Sequence, residues 1–178
     1  MRDRLGSYLA RQRNHKAWPH VRGRLLDVGC GLNTFVRGYA GPGCGVDVYQ
    51  WGDVDVVVAD TSKLGFQDGE FGTVSFLACL NHIPNRADVL REAFRVLEPD
   101  GRVVVTMIPP TRSRVWHFLR APWDHDQSER GMVEGEVFGL APREVRRLLT
   151  AAGFQVVREE RFMLGINRLT VAVKPGTR

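Results

Sequence analysis

The sequence predicts an α/β protein built on a doubly wound, mostly parallel sheet, and three observations carry that prediction. Short apolar runs alternate with segments of helical spacing, the pattern of parallel strands joined by crossover helices. The run Arg24-Leu25-Leu26-Asp27-Val28 stops at Gly29-Cys30-Gly31, and a helical pattern starts directly behind it. A strand there passes into a helix through a turn almost bare of side chains, where backbone N–H groups can meet a ligand. The chain closes on two strand-like runs joined by Leu164-Gly165, which is a β-hairpin and not another parallel unit.

Taken in order, residues 3–16 form a polar helix with Leu5, Tyr8 and Leu9 on one side, ended by Pro19. The first strand covers Arg24 to Val28. Leu32 to Ala40 follows as a helix and breaks at Gly41-Pro42-Gly43. The second strand, Cys44 to Val48, carries Asp47 near its end, and a third β-branched run, Val54 to Ala59, closes on Asp60. A turn at Gln67-Asp68-Gly69 leads into Thr73 to Cys79, an apolar run that reads as a strand covered on both faces, as parallel sheets require. Asn85 to Leu97 places Val89, Leu90, Ala93, Phe94 and Leu97 at helical spacing, with Pro99-Asp100-Gly101 as the stop. The fifth strand is Arg102 to Met107.

Regularity fails from Ile108 to Leu140, too long a stretch for a simple connection, which marks it as a functional insert or lid. Pattern returns at Ala141-Pro142-Arg143, where Pro142 suits a first helical position and Val145, Leu148, Leu149 and Ala152 form the buried stripe up to Gly153. The closing hairpin pairs Phe154 to Phe162 with Ile166 to Lys174.

A chain of 178 residues fits one domain, 1–178, with 1–23 as a basic leading helix or lid and 108–140 covering an acceptor. Hydrophobic content of 43% and charged content of 25% describe a globular protein rather than a disordered one. The net charge of +5 sits at the start: residues 1–24 hold seven Lys or Arg against Asp3 alone, and the remaining 154 residues are close to neutral. A solvated helix face explains that run better than a nucleic-acid arm. Three cysteines without Cys-x-x-Cys spacing argue for a reducing compartment. With no apolar stretch of bilayer length, a cytoplasmic location is expected.

In a doubly wound sheet the ligand lies beyond the carboxyl ends of the strands. The dinucleotide fingerprint wants a third glycine where this chain has Thr34, which weakens a nicotinamide reading. Asp47, eighteen residues beyond Gly29, suits the vicinal hydroxyls of a ribose, and Asp60 suits the exocyclic amino group of a purine. Turn capping is the alternative for both acids. Together three strand ends converge on one adenosine.

From Leu25 to Lys174 the chain resembles class I S-adenosylmethionine-dependent methyltransferases of the small type 11 kind. The resemblance rests on Leu26-Asp27-Val28-Gly29-Cys30-Gly31, on Asp47 and Asp60, and on Phe71 to Pro84 with Leu80, His82 and Ile83. It extends to Leu90-Arg91-Glu92-Ala93-Phe94-Arg95-Val96-Leu97-Glu98-Pro99-Asp100-Gly101 and to the closing hairpin. Two departures stand out. Asn33 replaces a residue that is commonly Gly, although Asn is the side chain that best tolerates a left-handed backbone. Gly72 replaces an acid that is mainly structural, so lower stability is expected there before lost binding.

The resemblance implies a Rossmann-like, seven-stranded fold and S-adenosylmethionine as cofactor. It implies that Gly29, Cys30 and Gly31 approach the methionine part through backbone, and that Asp27 orients the ammonium. Asp47 would hold the ribose with Val48 beside the adenine; Asp60 would take the adenine amino group while the Thr61 N–H meets a ring nitrogen. Leu77 or Ala78 would offer a carbonyl to the ammonium.

A sulfonium makes its methyl electrophilic, so catalysis needs chiefly an aligned nucleophile. His82, just after the fourth strand, is the candidate general base, with fixing its own loop as the alternative role. His117, Asp124, His125, Asp126 and Arg130 match no compact ligand spacing, so no metal is expected. Trp116, Phe118 and Trp123 pack a lid or line an apolar acceptor pocket. The function expected is methyl transfer to an O, N or C nucleophile of a small molecule. A cofactor-binding or partner protein without turnover and an RNA methyltransferase are the alternatives, separated by cofactor calorimetry and by salt-dependent RNA binding.

Overall fold

A computed structural model describes residues 4–110 and 135–176. Its elements are α1 (Arg4–Ala17), β1 (Leu25–Val28), α2 (Thr34–Arg37), β2 (Gly43–Asp47), β3 (Val56–Val57), β4 (Phe71–Leu77), α3 (Arg86–Val96), β5 (Leu97–Met107), α4 (Pro142–Ala151), β6 (Gln155–Phe162) and β7 (Asn167–Val173). The strands form one sheet in the order β3-β2-β1-β4-β5-β7-β6. β1 pairs in parallel with both β2 and β4. The chain therefore runs outward from β1 to β3 and returns to β4, and the switch point opens a crevice between the carboxyl ends of β1 and β4. β7 is antiparallel to β5 and β6.

Alternation along the strands divides the core. Leu26, Val74, Phe76, Val103 and Val105 pack with Val89, Leu90 and Ala93 of α3 and with Val145 and Leu149 of α4. Leu25 and Val104 face the opposite way, toward Ala17, Phe35 and Val36 at α1 and α2. One strand thus feeds both layers, so both faces of the central strands are buried and the small polar side chains among them, Thr73 and Ser75, are buried too.

α1 lies over the second layer. Ala17 is fully buried, Trp18 stacks on Phe35 at 6.0 Å and donates from Nε1 to Phe35 O (3.2 Å), and Asn14 Nδ2 donates to Thr34 Oγ1 (3.3 Å). Lys16 pairs with Glu160 of β6. The helix thus reaches from α2 to β6 on one face of the sheet. Its inward face carries Asn14 and Ala17, whereas Tyr8, read as apolar-side, is 55% exposed.

Several expected boundaries are corrected. The helix after the glycine turn is only Thr34–Arg37, because Asn33 adopts a left-handed conformation (φ 57°) and delays it. The third strand shrinks to Val56–Val57 because the Asp55 carboxylate turns away to accept from Gly45 N (2.8 Å), Asn33 Nδ2 (2.9 Å) and Arg37 Nη2 (2.6 Å). Pro99-Asp100-Gly101 does not stop α3, which ends at Val96. Those residues form a bend inside β5, whose register against β4 shifts between Phe71 and Thr73. Asp100 there has φ 60°, and its N–H donates to Lys174 O (3.1 Å).

Gly72 also acquires a reason. A Cβ at that position would lie 2.6 Å from Arg22 O and 3.1 Å from Gly23 Cα, so the segment leading from α1 into β1 leaves no space for an acidic side chain. Among the described residues no helix is long and apolar enough to cross a membrane. Trp116, His117, Phe118, Trp123, Asp124, His125, Asp126 and Arg130 lie outside the described residues.

Candidate cofactor site

The turn after β1 is held from three sides. Gly29 and Cys30 both donate to Val46 O on β2 (2.9 and 3.1 Å). Gly29 has φ 71°, and a Cβ there would lie 2.7 Å from Cys79 Cβ, whose Sγ donates to Val28 O (2.9 Å). Glycine is needed at this point for both conformation and space. Gly31 (φ 53°) differs: a Cβ there meets nothing within 4 Å, so the turn opens onto empty volume.

Asp47 braces this opening. The residue is 7% exposed; Oδ2 accepts from Gly31 N (2.9 Å), and Oδ1 accepts from Val48 N (2.8 Å) and Tyr49 N (3.2 Å). A carboxylate offers about four acceptor positions, so the fixed group keeps capacity for an outside donor. Asp27, 2% exposed, accepts from Ser75 Oγ on β4 (2.6 Å). Burial pushes its carboxyl up to about 7; the Ser75 hydroxyl opposes this, and the like charge of Asp47 adds to it. No Lys or Arg pairs with either acid among the described residues. Two buried carboxylates beside an open glycine turn fit a ligand that brings hydroxyl donors and a positive charge of its own.

Asn33 contributes something that spacing alone does not show. Fully buried, it donates from Nδ2 to Asp53 O (2.8 Å) and Asp55 Oδ2 (2.9 Å), tying the turn to the loop before β3. Its amide fills the place where a Gly45 side chain would start, since a Cβ there would lie 2.1 Å from Asn33 Oδ1. Asn33→Ala is expected to lose about 3 kcal/mol through the missing bonds and the left-handed backbone. Asn33→Gly removes only the bonds and should fall between in urea unfolding.

Across the crevice, Leu77 ends β4 and Ala78 takes φ 58°, with its N–H donating to Thr106 O (3.0 Å). A left-handed alanine costs about 1–2 kcal/mol, strain of the sort that collects at ligand clamps. Nothing in an alanine signals it beforehand. Burial pushes the thiols of Cys30 and Cys79 up, so both stay protonated hydrogen-bonding groups.

Asp60 lies farther along the same edge. Oδ1 accepts from Ser62 N (2.9 Å) and Asn85 Nδ2 (3.1 Å), and Oδ2 from Ser62 Oγ (2.8 Å), bonds that hold its carboxyl below the usual range. It therefore caps the turn between β3 and the start of α3. Thr61 beside it is buried. Asp27, Gly29, Cys30, Gly31, Asp47 and Val48 gather around one opening, with Leu77 and Ala78 across from it; Asp60 and Thr61 bind toward α3.

His82 sits in a short 3-10 turn, Leu80–His82, and its Nδ1 lies 3.6 Å from Glu136 Oε2. Glu136, not singled out by sequence, has a side chain only 3% exposed. The segment that carries it is clamped: Asn81 and Val137 exchange hydrogen bonds (3.0 and 3.1 Å), and Arg86 Nη2 donates to Asn81 O (2.9 Å) and Gly135 O (2.7 Å). The end of the insert is thereby fastened over the loop after β4.

A sheet of this order, with a braced glycine turn at its switch point, defines a protein that takes an adenosine-bearing ligand. Residues 1–159 match the family described as a methyltransferase domain, and the chain belongs to that family as a class I methyltransferase with S-adenosylmethionine as its cofactor. Among similar curated proteins, the ubiquinone/menaquinone biosynthesis C-methyltransferase UbiE of Desulfotalea psychrophila is 30% identical across 63% of this chain and 51% of that protein. The chain spans about half the length of the curated relatives it matches. The solved structure of PH0226 from Pyrococcus horikoshii superposes with a TM-score of 0.69 at 20% identity, covering 98% of this chain and 92% of the other. The 1,6-didemethyltoxoflavin-N1-methyltransferase of Burkholderia thailandensis, solved with 1,6-didemethyltoxoflavin and S-adenosylhomocysteine, gives 0.66 at 18% identity, covering 93% and 78%. Both structures share the fold.

Proposed function

We propose that this chain transfers the methyl group of S-adenosylmethionine to an oxygen, nitrogen or carbon nucleophile of a small-molecule acceptor, with 1–178 acting as one domain and 1–23 and 108–140 as its covers. The observation that carries the reading is the pair of buried carboxylates, Asp27 and Asp47, flanking a glycine turn that opens onto free volume at Gly31. Gly29, Cys30 and Gly31 would meet the methionyl part through backbone, with Asp27 and a carbonyl of Leu77 or Ala78 on its ammonium. Asp47 would accept from the ribose beside Val48. Asp60, already oriented by Ser62 and Asn85, would take the adenine amino group and Thr61 N–H a ring nitrogen. When bound, the cofactor supplies an electrophilic methyl on a sulfonium.

The chain's part is alignment and proton handling. His82 would accept the proton that an acceptor loses, at a ring nitrogen, with Glu136 Oε2 3.6 Å from its Nδ1. The C-methyltransferase activity named for the UbiE relative supports a carbon nucleophile as the first acceptor class to assay. The commitment of Lys16 to Glu160 and of Asn14 and Ala17 to the sheet favours a docked cover over an RNA-binding arm.

Calorimetry with S-adenosylhomocysteine tests the reading. Wild type is expected to bind, and Asp47→Ala to lose about 10- to 100-fold in affinity, the size expected when charge-assisted hydrogen bonds are removed. A wild type that does not bind the product would refute the assignment. Transfer of a labelled methyl to an acceptor pool then separates an enzyme from a cofactor-binding protein without turnover.

A further inference from the structure

The β6–β7 hairpin reaches the same edge of the sheet as the cofactor site. β7 runs antiparallel to β5 and starts beside its end, with Arg168 opposite Met107, so the turn 163–166 projects past the carboxyl ends of β4 and β5. The turn is tight: Gly165 N donates to Phe162 O (3.1 Å) and Ile166 N to Met163 O (3.0 Å). Its central residues, Met163 and Leu164, both have φ 53°, and Gly165 follows at φ 78°. A hairpin turn with two left-handed residues at its centre suits Asn-Gly, whereas Met and Leu there strain the backbone. Packing does not explain them, because Leu164 is 100% exposed. No contact among the described residues accounts for an apolar side chain held at such a place against both conformation and hydration.

The charges behind the turn identify its partner. Arg161 and Arg168 face each other in register one pair below the closing pair Phe162 and Asn167, on the side of the sheet that Met107 shares with α3 and α4. Like charges directly opposed destabilise a strand pair, and neither arginine pairs with a carboxylate among the described residues. The neighbouring acids of β6 are engaged elsewhere, Glu159 by Arg146 and Glu160 by Lys16 and Arg158. An apolar tip with two unpaired cations behind it complements an anionic lipid surface, the tip entering the interface and the guanidinium groups meeting phosphates. A stable protein interface takes about 20–30 residues a side, far more than this turn presents. We propose that the β6–β7 turn docks the protein on an anionic phospholipid membrane, with Met163 and Leu164 in the interface and Arg161 and Arg168 on the headgroups. Docking there sets the carboxyl edge of the sheet, with Ala78 and the turn that carries His82, against the membrane. The inference does not depend on the cofactor placement proposed above.

Co-sedimentation of the full chain with vesicles tests it, using phosphatidylcholine alone and phosphatidylcholine with about 30% phosphatidylglycerol as the anionic lipid. Wild type should partition onto the anionic vesicles at least about tenfold more strongly than onto the neutral ones. Met163→Asn combined with Leu164→Gly gives the turn its preferred residues, so the urea midpoint should rise while binding to anionic vesicles falls about tenfold or more. S-adenosylhomocysteine affinity of that variant should stay within about twofold of wild type, since neither residue lines the cofactor opening. Arg161→Gln combined with Arg168→Gln should weaken binding to anionic vesicles about 10- to 30-fold and leave binding to neutral ones unchanged. Wild type that sediments with neither kind of vesicle, or equally with both, overturns the proposal. So does wild-type binding to anionic vesicles in either double variant. Wild type that binds anionic vesicles as expected but not S-adenosylhomocysteine supports the docking and fails the cofactor placement alone.

Discussion

Gly29→Ala is expected to lower the unfolding free energy by about 4 kcal/mol, whereas Gly31→Ala, two residues on, should cost about 1 kcal/mol and instead remove cofactor binding. Both glycines have positive φ, 71° and 53°, so each substitution bears the strain of a left-handed alanine. Only Gly29 adds a collision, its new Cβ falling 2.7 Å from Cys79 Cβ and 2.9 Å from Cys79 Sγ. The thiol cannot retreat freely, since it donates to Val28 O and is packed at the end of β4. Overpacking of this kind costs about 1–3 kcal/mol, so the sum is a large share of an ordinary domain's stability. Urea midpoints measure it, and Gly29→Ala combined with Cys79→Gly should regain the part due to collision. At Gly31 the added methyl enters the free volume before Asp47, so S-adenosylhomocysteine affinity should fall at least about tenfold with the fold intact. Wild-type affinity in Gly31→Ala would mean that the opening is not the cofactor's.

Much of this arrangement was legible in the chain because it depends on local chemistry. A strand ending in Gly29-Cys30-Gly31 needs a turn without side chains, and acids at the end of β2 and in the turn after β3 lie on the edge where parallel sheets bind ligands. The tolerance of Asn33 for a left-handed backbone followed from its residue type. Its tether to Asp53 and Asp55 did not, because that contact depends on how far β2 runs before the chain turns back, a property of sheet register. Asp60 shows the same limit: the position was visible, but its bonds to Ser62 and Asn85 depend on where α3 docks. Glu136 gave no local signal. A charged residue in an irregular segment looks solvated until tertiary packing turns it inward. Ala78 carries backbone strain that no alanine announces.

Asp27 should give the protein a stability that falls as pH rises from about 4 toward 7, opposite in sign to the usual paired carboxylate. Its carboxyl titrates near 3.8 in the unfolded chain and near 7 in the folded one, chiefly because burial disfavours the charge. Between those values the native state holds a proton that the unfolded chain has released, so the contribution is most favourable in acid and its cost is complete once pH exceeds about 7. Asp55, Asp60, Glu92 and Glu160 are shifted downward and pull total stability the other way in acid, so the informative quantity is the difference between wild type and Asp27→Asn. That difference should move by about 3 kcal/mol between pH 5 and pH 8 in favour of the variant. A pH-independent difference would mean that Asp27 is ionised in the folded protein throughout. The same group then couples binding to protons: a ligand ammonium beside Asp27 stabilises the carboxylate, so binding at neutral pH should expel a proton. Calorimetric enthalpies of S-adenosylhomocysteine binding should therefore depend on the ionisation heat of the buffer at pH 6.5, and that dependence should vanish in Asp27→Asn. Affinity should rise with pH up to about 7 and level off above it, as expected for a site whose acid must be charged to hold a cation.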